Sequence, residues 1–375
     1  MLWGSGARGG PVLMSSIVNS VIKQRSNIAA IPSYRPGKST VEGWTGPVYK
    51  LSSNENPYPP LPSVLEAIAQ AASHIERYPN MAAPELTLAV AARQGVLPSQ
   101  IAFGGGSVES AAQLIRAFAG EGDEVVFAWR SFEAYPLLVS GSGATPVQVP
   151  LTEDHRHDLD LMLAAVTPRT RVIFICTPNN PTGTVVTHDE LHAFLTAVRS
   201  DILVVIDEAY VHFTNDPAAE RGIELFHEFE NVAVLHTFSK AYGLAGLRLG
   251  YAIARDDVHE GLSKVAMPFA LTDIAQAAGV ASLAAEGELQ ERVDALIGER
   301  DRVSAALADG GWASPPSQAN FVWLPAGDTT DALNDHLTSH GLIVRPFSGH
   351  GIRVSIGEPA ANDAFLAALG TAPRY

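Results

Sequence analysis

Apolar residues fall along this chain in short continuous runs separated by amphipathic stretches. Ile202 to Ile206 is an unbroken run rich in β-branched residues, the pattern of a strand buried on both faces. Ile101 to Phe103, Glu124 to Ala128, Arg171 to Thr177, Val232 to Thr237 and Gly250 to Ile253 read as further strands. Helical periodicity appears over Leu61 to Ser73, Glu85 to Gln94 and Glu190 to Val198, and from Ser107 to Ala119. Strands that alternate with helices predict an α/β fold with a mostly parallel sheet covered on both sides. After about residue 275 a long helical region runs through Leu307. The tail then reads as a smaller α+β unit, with strands at Asn320 to Leu324, Leu342 to Val344 and Ile352 to Ile356. Before residue 50 the pattern weakens to a short helical stretch, Ile17 to Lys23, and a Pro/Gly-rich arm around Tyr34. The expected organisation is an arm over residues 1–49, a large domain over 50–270 and a small domain over 271–375.

With 375 residues and a mean hydropathy of +0.10, the chain can bury a sizeable core. A net charge of −15 argues against a nucleic-acid partner, because an acidic surface repels phosphate backbones. No apolar run reaches the roughly 18 residues that span a bilayer. The first residues are Gly-rich and do not read as a signal peptide, and Met14 offers an alternative start. A single cysteine, Cys176, leaves no intramolecular disulfide framework, which suits the cytoplasm.

The chemistry concentrates in four strings that each follow a strand. Thr237-Phe-Ser239-Lys240 runs into Arg248 eight residues after the lysine. A lysine beside other cations can lose its proton and attack an aldehyde. Hydroxyls at Thr237 and Ser239 with the Arg248 guanidinium suit a phosphate dianion. An isolated Ser-Lys pair is more often a surface turn; the whole string is not. Asp207 closes the run Val204-Val-Ile, at the strand edge where open α/β sheets bind ligands. It suits a protonated ring nitrogen, and reads equally well as a helix N-cap. Cys176-Thr-Pro-Asn179-Asn180-Pro-Thr-Gly183 is by itself a Pro/Gly turn. Gly104-Gly-Gly-Ser107 lets backbone N–H groups and a helix N-terminus approach a phosphate, without the spacing of a Walker A or dinucleotide loop.

Together these strings, with Leu51-Ser-Ser-Asn54-Glu55-Asn56-Pro57-Tyr58 and Gly351-Ile-Arg353-Val-Ser-Ile-Gly357, resemble the aspartate-aminotransferase superfamily, fold type I of the pyridoxal-phosphate enzymes. The histidinol-phosphate aminotransferase branch is the closer match, from about residue 30 to the end. The resemblance implies a large domain with a seven-stranded sheet plus a small domain. It implies that Lys240 carries pyridoxal 5′-phosphate as a Schiff base and that Asp207 pairs with the ring nitrogen. Asn180 and Tyr210 would contact the ring oxygen. Ser107, Val108, Thr237, Ser239 and Arg248 would surround the phosphate, and Phe132 would stack on the ring. Tyr58 would reach the phosphate in the neighbouring subunit, making the active unit a homodimer. Arg353 would fork onto the substrate α-carboxylate, Tyr34 and the arm around it would cover the pocket, and Asn56 would contact the substrate. Many histidinol-phosphate enzymes read Gly-Asn-Gly-Ser-Asp-Glu where this chain has Gly105 and Val108. That departure, with Trp129-Arg-Ser-Phe132-Glu-Ala-Tyr135, looks more like the aromatic (phenylalanine) aminotransferases of the branch.

The expected reaction is therefore transamination of aromatic amino acids with 2-oxoglutarate or glutamate. Histidinol phosphate is the alternative substrate, and a lyase or decarboxylase on the same fold is a third reading. Arg345 reads equally as a substrate-anion contact and as a structural ion-pair residue. His155 with His157, and His188 with His192, have metal-compatible spacing but no supporting carboxylate or thiol cluster, so no metal is expected. Cys176 reads as a small core residue rather than a nucleophile.

Overall fold

In the computed structural model the described residues are 22–31, 44–219 and 221–373. Tyr34 and most of Ile17 to Lys23 lie outside them. The strands are β1 (Tyr49–Lys50), β2 (Ile101–Gly105), β3 (Glu124–Trp129), β4 (Thr145–Pro150), β5 (Thr170–Cys176), β6 (Leu203–Asp207), β7 (Val232–Thr237), β8 (Leu249–Ile253), β9 (Phe321–Leu324), β10 (Leu342–Ile343), β11 (Arg345–Phe347) and β12 (Gly351–Ser355). Seven of them form one sheet in the order β2-β8-β7-β6-β5-β3-β4. Only β8 runs against the others, pairing antiparallel with β2 and β7.

The two-sided burial expected of the central strands is observed. Side chains alternate across a strand, and on β6 Val204 and Ile206 enter one core layer while Leu203 and Val205 enter the other. On β5 Ile173 and Ile175 oppose Val172 and Phe174 in the same way. Each such fully buried side chain contributes roughly 1.5–3 kcal/mol of transfer free energy. One layer is closed by helix Ser107–Phe118, through Ala111, Leu114 and Ile115. The other is closed by helices Pro84–Gln94 and Asp273–Ala284, through Leu86, Ala275 and Ala278.

A second core surrounds β9, β12 and β11, an antiparallel sheet in the order β11-β12-β9. Strand β1 pairs parallel with β10, and the next residue, Leu51, joins this second core. The long helical region is two helices, Asp273–Ala284 and Glu286–Asp309, which break at Ala285. Strand β4 carried no clear signal in the sequence. It holds Pro146 and Pro150, and it lies at the sheet edge, half-exposed, where proline is tolerated. No helix among the described residues is long and apolar enough to cross a membrane.

Arg300 is buried within the second core, beside Leu296 and Val303 of its own helix and Phe213. Its side chain is 1% exposed; Nη1 donates to the Phe213 carbonyl at 2.7 Å and Nη2 to Asn215 Oδ1 at 3.0 Å. The long helix is thereby fastened to the turn that follows β6. Arg300→Met is expected to lower unfolding free energy by about 2 kcal/mol or more, because it leaves a buried carbonyl unpaired. Chemical denaturation measures this; a change within about 0.5 kcal/mol, as at an ordinary surface site, would contradict it.

Candidate active site

The parallel strands end at one edge of the large sheet, and the carboxyl ends of β5, β6 and β7 open there onto a cavity of about 170 Å³. Ser107, Val108, Phe132, Asn180, Asp207, Tyr210, Thr237, Ser239, Lys240 and Arg248 all line it. Cys176, Ala209 and Ala245 complete the wall. Asn56 and Tyr58 line an adjoining cavity that shares Ser239 and Ala245. Asn56 Nδ2 donates to the Ala241 carbonyl at 2.9 Å, and its Oδ1 accepts from Tyr58 N at 3.0 Å.

Asp207 is 4% exposed. Burial raises its carboxyl above the ordinary value, against the opposing pull of the hydrogen bond from Tyr135. Tyr135 Oη donates to Asp207 Oδ2 at 2.6 Å, and Ala209 N donates to Oδ1 at 3.2 Å. Behind Asp207, the buried His236 Nε2 lies 2.9 Å from Glu208 Oε2, and Glu208 Oε1 accepts from Gly222 N at 2.6 Å. Burial pushes the Cys176 thiol up, so it stays protonated and inert.

Lys240 Nζ donates to the Ser53 carbonyl at 3.1 Å and lies 5.8 Å from the centre of the Tyr210 ring. Burial, with help from Arg353, lowers its amine to about 7. A lysine in this state has an unprotonated fraction at neutral pH. Burial also pushes the Tyr210 phenol up to about 12, so it is a hydrogen-bonding phenol there. Asn54 holds Tyr210 in place: Nδ2 donates to Tyr210 Oη at 2.9 Å, while Oδ1 accepts from Ser355 Oγ at 2.9 Å.

The other end of the cavity is built for an anion. Arg248 has φ 55°, in the left-handed region that costs a non-glycine residue roughly 1 kcal/mol or more. That backbone turns its guanidinium toward Ser239 Oγ (3.3 Å), the Ala245 carbonyl (2.8 Å) and the Gly105 carbonyl (2.9 Å). Gly106, at φ +85°, opens the helix that begins at Ser107, and a Cβ on it would overlap that guanidinium. Backbone N–H groups at this helix start and the Arg248 cation face the same space.

Arg353 on β12 is 7% exposed; Nη1 donates to Asn180 Oδ1 and Nη2 to the Ser52 carbonyl, both at 2.6 Å. Arg345 on β11 does not line the cavity. Its Nε and Nη2 donate to Glu133 Oε2 at 3.0 and 2.7 Å. Tyr34 is outside the described residues. No group of three or more His, Cys, Asp or Glu side chains among the described residues is arranged to hold a metal.

Three residues with evident roles in this geometry, Tyr135, Asn54 and Glu133, had no role assigned from the sequence. Tyr135 and Asp207 are 72 positions apart, and nothing local marks the pair. Asn54 lies in the specific string at Leu51 to Tyr58, which is the signal that pointed to it.

The chain belongs to the class I and II aminotransferases, whose family model matches residues 47–369. It is 54% identical over 345 residues to an aromatic amino acid aminotransferase of Streptomyces avermitilis, covering 92% of this chain and 96% of that protein. An aromatic amino acid aminotransferase of Cutibacterium acnes is 52% identical over 349 residues, covering 93% and 98%. Among solved structures, the histidinol-phosphate aminotransferase of Sinorhizobium meliloti in complex with pyridoxal 5′-phosphate superposes with a TM-score of 0.84 at 31% identity, covering 95% and 98%. An aspartate aminotransferase of Thermus thermophilus shares the fold, with a TM-score of 0.76 at 23% identity. The family and fold expected from the sequence are borne out.

The residues present fit pyridoxal phosphate. The anion cradle suits its phosphate, Asp207 its ring nitrogen and the Lys240 amine its aldehyde. Tyr135→Phe removes one donor to Asp207 and is expected to weaken cofactor binding about tenfold, the worth of one hydrogen bond to a charged group. Calorimetric titration of cofactor-free protein measures it; unchanged affinity would contradict the role.

Proposed function

We propose that this chain transaminates aromatic amino acids, with glutamate and 2-oxoglutarate as the second substrate pair and pyridoxal 5′-phosphate as cofactor. The observation that carries the chemistry is the convergence of Lys240, Asp207 and Arg248 on one cavity, with Arg353 bonded to its wall at Asn180. The aromatic preference is supported by relatives of that name at 54% and 52% identity over nearly the whole chain.

When bound, the cofactor supplies an electron sink for cleavage of a substrate Cα–H bond. Ser107, Val108, Thr237, Ser239 and Arg248 hold its phosphate. Asp207, kept ionised by Tyr135 and the Ala209 N–H, holds the ring nitrogen protonated. Asn180 and Tyr210 would contact the cofactor's ring oxygen, and Phe132 would stack on the ring. Lys240 would hold the cofactor through its aldehyde, and its free amine would accept the Cα proton. General acid–base transfer of this kind supplies roughly 10²–10⁴ of the rate. Arg353 would pair with the α-carboxylate, and Asn56 would lie on the substrate side.

We read the protein as a cytoplasmic homodimer in which Tyr58 reaches the partner's cofactor phosphate. The exposed apolar group Tyr78, Met81, Met267 and Phe269, with Tyr78 and Phe269 rings 4.6 Å apart, supports a face covered by a second copy. We place the change from the large to the small unit at Ala285 rather than at residue 270, because helix Asp273–Ala284 packs into the core of the large sheet.

The test is a set of single-turnover titrations of the cofactor-loaded enzyme with phenylalanine, glutamate and histidinol phosphate, following the visible spectrum. Phenylalanine is expected to react at least about tenfold more efficiently than histidinol phosphate. The reverse order would move the chain to histidinol phosphate. Release of an amine or ammonia instead of an oxo acid would assign a decarboxylase or lyase.

A further inference from the structure

Arg345 and Arg353 are directly opposed in the antiparallel pair β11–β12. Opposed residues share a face of the sheet with Cβ atoms about 5 Å apart, and like charges there repel. Arg353 bonds Asn180, which lines the cavity, so this face looks onto the substrate end of the site. Two guanidiniums on one face would form a strong anion receptor. Glu133 changes that balance. It takes the Nε and Nη2 hydrogens of Arg345 on one carboxylate oxygen, across 212 positions of sequence. It also follows Phe132, which lines the cavity, and its charge reaches Arg130 as well. The Arg345 side chain is 16% exposed and that of Glu133 is 31% exposed, so the pair is shielded but not sealed from water.

We propose that Glu133 is a specificity-determining residue: by holding Arg345 in an ion pair beside Arg353, it favours substrates with uncharged side chains over those with anionic ones. The inference rests on the aromatic reading above. Neutralised by Glu133, the Arg345 guanidinium does not have to be stripped of water, unpaired, when an apolar side chain packs near it. An anionic side chain must instead compete with a carboxylate already in place. Discrimination thus comes from occupying the wrong partner's site as much as from contacts to the right one.

The test compares wild type with Glu133→Gln, each loaded with cofactor, in single-turnover reactions with phenylalanine, glutamate and histidinol phosphate. Glu133→Gln is expected to shift both preference ratios toward the anionic substrates by about tenfold, mainly through the substrate concentration at half-maximal rate. Calorimetric binding of glutarate, a dicarboxylate with no amino group to react, is expected to tighten by a similar factor. Arg345→Gln added to Glu133→Gln should return the ratios toward wild type. Unchanged ratios, or an equal loss on all three substrates with no gain in glutarate binding, would overturn the proposal and leave Glu133 as a packing residue. If Glu133→Gln does not fold, Glu133→Asp decides the matter: its shortened reach predicts a smaller shift of the same sign, and no shift refutes it. A wild type that prefers histidinol phosphate would refute the aromatic reading, while the shift between wild type and variant still tests Glu133.

Discussion

Asp207 stands at the end of a strand buried on both faces, where an ionised carboxylate is unfavourable unless donors replace water. Tyr135 Oη and the Ala209 N–H are those donors. The rest of the site depends on this supported charge. A buried carboxylate at that point fixes where a cationic ring can sit. A ring held there would lie between the anion cradle at Ser107 and Arg248 and the amine of Lys240, which line the same cavity. Desolvation works against the charged form of both groups: it lowers Lys240 toward the free amine, and at Asp207 it is opposed by the hydrogen bonds from Tyr135 and the Ala209 N–H.

The large sheet alone does not make the site. Arg353, Ser355 and Asn320 come from the second core, and each bonds a residue of the segment Ser52–Asn54. That segment follows β1, which pairs with β10, and it returns Asn54 to Tyr210 at the large-sheet edge. The early string is thus a strap between the two cores. Arg300 fastens the long helix to the turn after Tyr210.

Much of this was legible in the sequence because the signals were local. Unbroken apolar runs such as Ile202 to Ile206 can be read without knowing their neighbours, and Lys240 with Arg248 lies in one specific string. The signal failed where the physics was long-range. Strand β4 is held by its edge position and not by its own composition, which includes Pro146, Pro150 and the polar Gln148. Whether Arg345 is an anion contact or an ion-pair residue had no answer until Glu133 appeared beside it. Tyr135 gave no hint of its partner because a helix start after β3 and the end of β6 meet only in the folded sheet.

The central claim is that Lys240 is the lysine that binds the cofactor. Its lowered basicity adds a sign: below about pH 7 the amine is protonated and unreactive, and above it the amine is available. Cofactor-free protein would be mixed with pyridoxal phosphate over a range of pH, trapped with borohydride and digested, and the labelled peptide sequenced by mass spectrometry. The expected result is a single label on Lys240, formed slowly in acid and at a rate that rises through neutrality and then levels. A label on another lysine, such as Lys50 or Lys264, or a rate that climbs only near the ordinary lysine range, would contradict it.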